Sequence, residues 1–109
     1  SRGMSVQANC YRGPASSEVN VQKSLQNKLA SGFLAPRLVT TLDVEREGKH
    51  IPLKVYSTAV PGQGKQAAMA VAAAAVQTSR CRLALFGASP DPARPDLEKD
   101  IQSMMRSAR

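Results

Sequence analysis

The spacing of hydrophobic positions changes along the chain, and each change predicts a different structural element. Val21, Leu25 and Leu29 recur four residues apart, which predicts a helix with one apolar stripe. One of the serines at 16–17 is suited to the N-cap of this helix, because its hydroxyl can accept a hydrogen bond from a free backbone N–H. Gly32 ends the helix, since glycine favours the conformation that follows a last helical turn.

A β-hairpin is predicted after this helix. Hydrophobic and polar residues alternate from Leu38 to Glu45, and a return strand follows from His50 to Thr58. The segment 46–49 between them is a charged turn, in which Gly48 can adopt a positive φ. One side of the hairpin is expected to face the core. The other side is expected to lie open, and it carries Val39, Thr41, Asp43, Glu45, Lys54 and Tyr56.

A glycine-rich segment, Val60–Gln66, leads into the uninterrupted apolar run Ala67–Val76. We predict a second helix from this run to about Thr78. It has no polar face, so it must be buried on most sides, against its own sheet or against another chain. A third strand is predicted at 80–86.

The last helix is predicted at 97–107, after a stiff linker with three prolines. Its apolar stripe is predicted to consist of Leu97, Ile101, Met104 and Met105. The elements then follow the order helix, strand, strand, helix, strand, helix, which predicts an α+β domain. Its small three-stranded sheet is expected to be mixed, because a helix between strands allows a right-handed crossover, and helices are expected to cover one face. We divide the chain into a flexible N-terminal arm at 1–16, a core domain at 17–89, and a proline-rich linker and C-terminal helix at 90–109.

Two resemblances follow from these patterns. The order of elements resembles the type II KH topology and the ribosome-binding-factor and BolA-like families built on that plan, with a similar rhythm from Pro36 to Tyr56. The Gly-X-X-Gly loop of KH domains is not present, since Gly62 and Gly64 have a single residue between them. Separately, the segment 62–68 resembles the start of the last helix of double-stranded-RNA-binding domains. Each resemblance covers less than half of the chain, and we assign no family.

The formal net charge is +7, and its distribution indicates a polyanionic partner. No Asp or Glu lies between Gly48 and Pro90. Such a field of one sign favours nucleic acid, RNA before DNA, because Lys and Arg bind phosphates and an exposed tyrosine can stack on bases. The glycine-rich turn would add backbone N–H donors. The predicted nucleic-acid-binding residues are Lys49, Lys54, Tyr56, Gly62, Gly64, Lys65, Arg80 and Arg82.

No catalytic or metal site is expected, and no cofactor. The single histidine, His50, has no acid or nucleophile nearby in a recognisable pattern and is interpreted as a surface turn residue. Two cysteines, far apart in sequence, cannot supply the four ligands of a zinc site. Asp43 and Glu45 are interpreted as a solvated strand edge.

Cys10 and Cys81 leave two alternatives open. Reduced thiols suit a cytoplasmic protein, which is our expectation, whereas a disulfide between them would indicate a secreted one. No signal peptide is visible, and the apolar run 67–76 is too short to span a bilayer.

The alternative hypothesis is a protein-interaction or assembly subunit, such as a homo-oligomer, a secretion chaperone or an effector-like protein. The predicted Ala67–Val76 helix would then pack against a copy of itself or another partner, and the basic surface would dock on an acidic protein. An oligomer dispersed by Ala72→Glu would favour this hypothesis, whereas salt-sensitive RNA binding would favour the first.

Overall fold

A computed structural model describes residues 4–60 and 67–108 of the chain. A five-stranded antiparallel sheet with strand order β1-β5-β4-β3-β2 forms the middle layer, and one helix packs on each face. Short 3₁₀ turns at Gly13–Ser16 and Asp91–Ala93 precede the two helices. The elements are β1 (Ser5–Tyr11), α1 (Glu18–Gly32), β2 (Leu34–Arg46), β3 (Lys49–Val60), β4 (Ala67–Gln77), β5 (Arg82–Pro90) and α2 (Arg94–Ser107).

Helix α1 begins and ends where the sequence predicts, although Gly32 is the last helical residue and does not adopt a positive φ. The Ser17 hydroxyl accepts a hydrogen bond of 3.2 Å from the backbone N–H three residues further on, and the helix ends at Gly32. The predicted stripe of Val21, Leu25 and Leu29 is buried against the sheet. The helix is therefore held to the sheet by the pattern that predicted it.

The predicted hairpin is also confirmed. Strands β2 and β3 are antiparallel, and Glu47 and Gly48 form the turn between them with φ values of 52° and 77°. Positive φ at both central residues is the requirement of a type I′ turn, whose twist matches that of the strands. The register shifts between Leu38 and Thr40, and this bulge leaves Leu38 and Val39 exposed on the edge strand.

The main correction concerns the apolar run that was predicted to be a helix. Ala67–Gln77 is strand β4, which lies at the centre of the sheet between β3 and β5. A strand covered on both faces needs apolar side chains on both, so its sequence is a continuous apolar run without alternation. Small side chains let both helices approach it closely. Val71 and Ala73 pack on the side of α1, whereas Ala70, Ala72, Ala74 and Val76 pack on the side of α2.

The predicted fold class is therefore wrong. In place of a mixed three-stranded sheet with helices on one face, the structure has five strands, all antiparallel to their neighbours, with both faces covered. Residues 5–11, for which no strand was predicted, form β1 and pair with β5 along their whole length. The type II KH topology required a helix where β4 lies, so that resemblance does not describe this fold.

Helix α2 covers the face of the sheet opposite α1. Three residues of its predicted stripe, Leu97, Ile101 and Met105, are fully buried, and the fourth, Met104, is half-buried against the same cluster. Gly87 of β5 lies directly beneath it. A Cβ atom built at Gly87 would be 2.7 Å from Cδ1 of Leu97 and 2.8 Å from Cδ1 of Ile101. The close approach of α2 to the sheet therefore depends on glycine at this position.

Cys10 and Cys81 form a disulfide, with Cα atoms 5.6 Å apart. This separation is ordinary for a disulfide. The preference for reduced thiols is therefore wrong, and the alternative left open by the sequence is what the structure contains. The bond links the edge strand β1 to the residue that precedes β5, at the end of the sheet where β5 begins.

Candidate nucleic-acid interface

The antiparallel register brings cations from distant parts of the chain to one end of the sheet. Lys49 begins β3 at this end, and Arg82 begins β5, opposite Tyr11 at the end of β1. Arg80 lies in the turn from β4 to β5 at the same end of the sheet. We call this end of the molecule the basic end. Its cations are Arg12, Arg46, Lys49, Arg80, Arg82 and Arg106.

Three of the predicted residues meet at the basic end. Lys49 and Arg80 are exposed, and the backbone N–H of Arg80 donates to the Thr78 hydroxyl at 3.2 Å, which orders the turn. Arg82 is half-buried, and its Nε donates to the carbonyl oxygen of Ser16 at 2.8 Å. This bond fixes the guanidinium beside the 3₁₀ turn before α1. Two of these three cations are thus exposed surface groups, and the third is held in place by a hydrogen bond.

Lys54 and Tyr56 lie elsewhere, on the face covered by α1. Tyr56 is only 8% exposed, and its hydroxyl accepts a hydrogen bond of 3.3 Å from Nε2 of Gln26 on α1. Phe86 packs near Phe33, with ring centroids 6.2 Å apart. The predicted open face is wrong here because a helix covers it. Neither Tyr56 nor Phe86 therefore offers the free aromatic surface on which bases stack in single-stranded RNA recognition.

The glycine-rich turn lies outside the described residues. Gly62, Gly64 and Lys65 therefore keep their predicted role as a prediction only. Their flanks are described, since β3 ends at Val60 and β4 begins at Ala67, both at the end of the sheet opposite the basic end. Because β4 is a strand, no helix N-terminus follows this segment to concentrate free N–H donors.

Sequence reasoning missed three cations of the basic end, Arg12, Arg46 and Arg106. Arg46 is 8% exposed, and its Nη1 donates to the carbonyl oxygens of Met105 at 2.7 Å and Arg106 at 3.3 Å. A cation at the C-terminus of a helix is favourable, because the carbonyl end carries partial negative charge. Arg46 thereby fastens α2 to the basic end. No local pattern could have predicted contacts between residues 59 and 60 positions apart.

Carboxylates lie at the same end and limit its positive field. Glu18 begins α1, and Glu45 and Glu47 flank the last residue of β2, all three exposed. Further along the edge, Nδ1 of His50 lies 2.8 Å from Oδ2 of Asp43, with both side chains 66% exposed. In the described part of the chain, no group of three or more His, Cys, Asp or Glu side chains is placed to hold a metal ion.

The alternative hypothesis predicted an interface on a helix formed by Ala67–Val76, but this segment is part of strand β4. Ala72 is fully buried in the central strand, so Ala72→Glu would place a charge in the core instead of dispersing an oligomer. The edge strand β2 is the longer free edge of the sheet. It carries a bulge and charged residues, which are features that discourage pairing with another strand.

No family model, characterised protein or solved structure matches this chain at a significant level. Among the described residues, neither helix has the length and apolar character needed to cross a bilayer. The chemistry of the basic end is thus the main guide to function.

Proposed function

We propose that the protein binds nucleic acid without catalysis, through phosphate contacts made by the basic end. The observation that supports this most directly is the register, which brings Lys49, Arg80 and Arg82 from separate elements to one end of the sheet. Cations grouped at one end of a protein can bind a phosphate backbone by releasing condensed counterions, so affinity falls steeply with salt.

The proposal is for phosphate recognition and not for base recognition. Our preference for RNA rested on an open face with Tyr56 as a stacking residue, and α1 covers that ring. Binding through Lys and Arg alone carries little sequence information, because phosphates are the same at every nucleotide. We therefore expect RNA and DNA of the same length to bind with similar affinity.

We also propose that the protein acts in an oxidising compartment. The expectation of a cytoplasmic location assumed free thiols, whereas Cys10 and Cys81 are bonded. Disulfides persist mainly in secreted and other oxidised proteins, because the cytosol keeps thiols reduced. The partner is then an extracellular or periplasmic polyanion, and the proposal commits to nucleic acid.

The test is fluorescence anisotropy with labelled RNA and DNA at about 50 and 200 mM salt, the range over which phosphate-driven affinity falls steeply. Lys49→Gln and Arg80→Gln should each weaken binding, and each should make the slope of log affinity against log salt shallower by about one. The oxidised protein should be used throughout.

Arg37→Gln is the matched control. Arg37 is exposed like Arg80, but it pairs with Ser57 near the start of β2, about 30 Å along the strand from the basic end. It should leave affinity and salt slope unchanged. Absence of binding at the lower salt, or equal weakening by Arg37→Gln, would contradict the proposal. Binding to an acidic protein in place of both oligonucleotides would favour the alternative hypothesis of a protein-interaction subunit.

A further inference from the structure

A pocket of about 470 Å³ opens beside the basic end, between the β2–β3 turn, the β4–β5 turn and the C-terminus of α2. This volume lies within the range of about 300–1,000 Å³ that is usual for small-ligand sites. We call it the Arg46 pocket. It is lined by Arg46, Glu47, Lys49, Ile51, Gln77, Thr78, Ser79 and Ala108.

We propose that the Arg46 pocket binds a phosphate monoester group, such as the terminal phosphate of a nucleic acid. This inference deepens the proposed function and rests on it only for the source of the phosphate. The chemistry of the pocket is independent of that source, because it follows from the donors that line it.

Arg46 is the main donor. Its Nη1 is engaged with two carbonyl oxygens of α2, which holds the guanidinium in one orientation. Among the described residues no acceptor is found for Nε and Nη2 of Arg46, and no buried side-chain nitrogen there lacks a partner, so these two atoms are not fully buried. Because Arg46 lines the pocket, we place them at its surface. No carboxylate among the described residues forms an ion pair with Arg46. A guanidinium that is fixed in orientation and has unused N–H donors is well suited to bind an oxyanion.

Lys49 at the start of β3 and Ser79 in the β4–β5 turn add donors to the lining of the pocket. The side-chain donors of Gln77 and Thr78 are already engaged, since Nε2 of Gln77 and Oγ1 of Thr78 both donate to the carbonyl oxygen of Cys81, at 3.2 and 3.0 Å. These bonds make the β4–β5 turn a firm support. The Ser79 hydroxyl has no partner among the described residues and is exposed. Donors from three separate elements fit the three terminal oxygens of a phosphate monoester better than the two coplanar oxygens of a carboxylate.

Glu47 lines the same pocket, and its carboxylate provides a test of the charge of the ligand. If the ligand is an anion, Glu47 repels it, and Glu47→Gln should tighten binding. If the pocket held a cation instead, the same substitution should weaken binding. The sign of this single effect therefore separates the two kinds of ligand.

The experiment compares oligonucleotides of one sequence with and without a 5′-phosphate, by anisotropy at low salt, and titrates inorganic phosphate alone by calorimetry. We expect the 5′-phosphorylated strand to bind about tenfold more tightly, which is the usual worth of a charge-assisted hydrogen bond. Ser79→Ala and Lys49→Gln should reduce this ratio, and Glu47→Gln should raise it. Lys99→Gln, an exposed cation on α2 outside the pocket, is the matched control and should leave the ratio unchanged.

The outcomes separate the two proposals. Salt-sensitive binding of both strands with a ratio near one, and no heat with inorganic phosphate, would overturn the pocket while leaving the proposed function intact. Phosphate binding that requires Ser79 and Lys49, without binding of either strand, would support the pocket and overturn the proposed function. A ratio lowered by Glu47→Gln would refute the assignment of an anion. Urea midpoints close to that of the parent protein should accompany each variant, so that lost binding is not confused with lost folding.

Discussion

Removal of the Cys10–Cys81 disulfide is expected to take away a large part of the stability of this protein. The bond joins β1, an edge strand that contacts the rest of the sheet only through β5, to the residue that precedes β5. It also closes a loop that contains α1, β2, β3 and β4. The unfolded oxidised chain is therefore restricted over most of its length, whereas the unfolded reduced chain is free.

The size of the effect follows from the length of that loop. The two cysteines are 71 positions apart, and the chain-entropy relation for such a loop gives about 4 kcal/mol of stabilisation at 25 °C. Natural domains have free energies of unfolding of about 5–15 kcal/mol. Loss of the bond should thus leave the fold marginal, and β1 should be the first strand to separate because it lies at the edge.

Urea unfolding of the oxidised protein, the reduced protein and the double variant Cys10→Ala/Cys81→Ala measures this. With a slope of about 1–3 kcal/mol per molar urea, the midpoint should fall by roughly 2 M on reduction. The double variant should unfold at the same urea concentration with and without reductant, which controls for effects of the reductant itself. A difference below about 1 kcal/mol between oxidised and reduced protein would refute the reasoning, since the loop entropy alone predicts several times more.

Two further predictions concern the packing of α2. Gly87→Ala should lower the free energy of unfolding by about 1–3 kcal/mol, because the added methyl group overlaps Leu97 and Ile101; Gly32→Ala, where a Cβ meets nothing within 4 Å, should leave the urea midpoint unchanged or slightly raised. Arg46→Gln should cost about 1.5–3 kcal/mol, the worth of hydrogen bonds made by a charged donor, because the carbonyl oxygens of Met105 and Arg106 lose their partner. Arg106→Gln, an exposed arginine of the same helix, should change stability by less than about 0.5 kcal/mol. Equal urea midpoints within either pair would contradict the packing described here.

The elements that the sequence predicts correctly are those with one buried face and one solvent-exposed face. The stripe of Val21, Leu25 and Leu29 could form only a helix with one buried face, and the same holds for Leu97, Ile101 and Met105. The sequence also predicted the β2–β3 turn, because Gly48 in a charged segment can adopt the positive φ that a tight hairpin needs. In each case a local pattern carries the information.

The apolar run 67–76 could not be assigned in the same way. A segment buried on every side has no polar positions to reveal its period, so a buried helix and a central strand have similar sequences. Its neighbours decide between them, since β3 and β5 offer hydrogen bonds on both sides and α1 and α2 cover both faces. Residues 5–11 depend on context too, because their pairing with β5 is non-local.

For the candidate site, too, some properties follow from the sequence and others depend on the tertiary structure. The sequence by itself determined that the protein is basic and that the stretch from Gly48 to Pro90 has no carboxylate, and it nominated Lys49, Arg80 and Arg82 as candidate anion-binding residues. Only the tertiary structure decided which cations meet, because charges are brought together by strand register and not by spacing along the chain. It placed Tyr56 beneath α1, carried Arg46 to the end of α2, and joined Cys10 to Cys81. Periodicity records whether a residue faces water, whereas the identity of its neighbour depends on how distant segments pack.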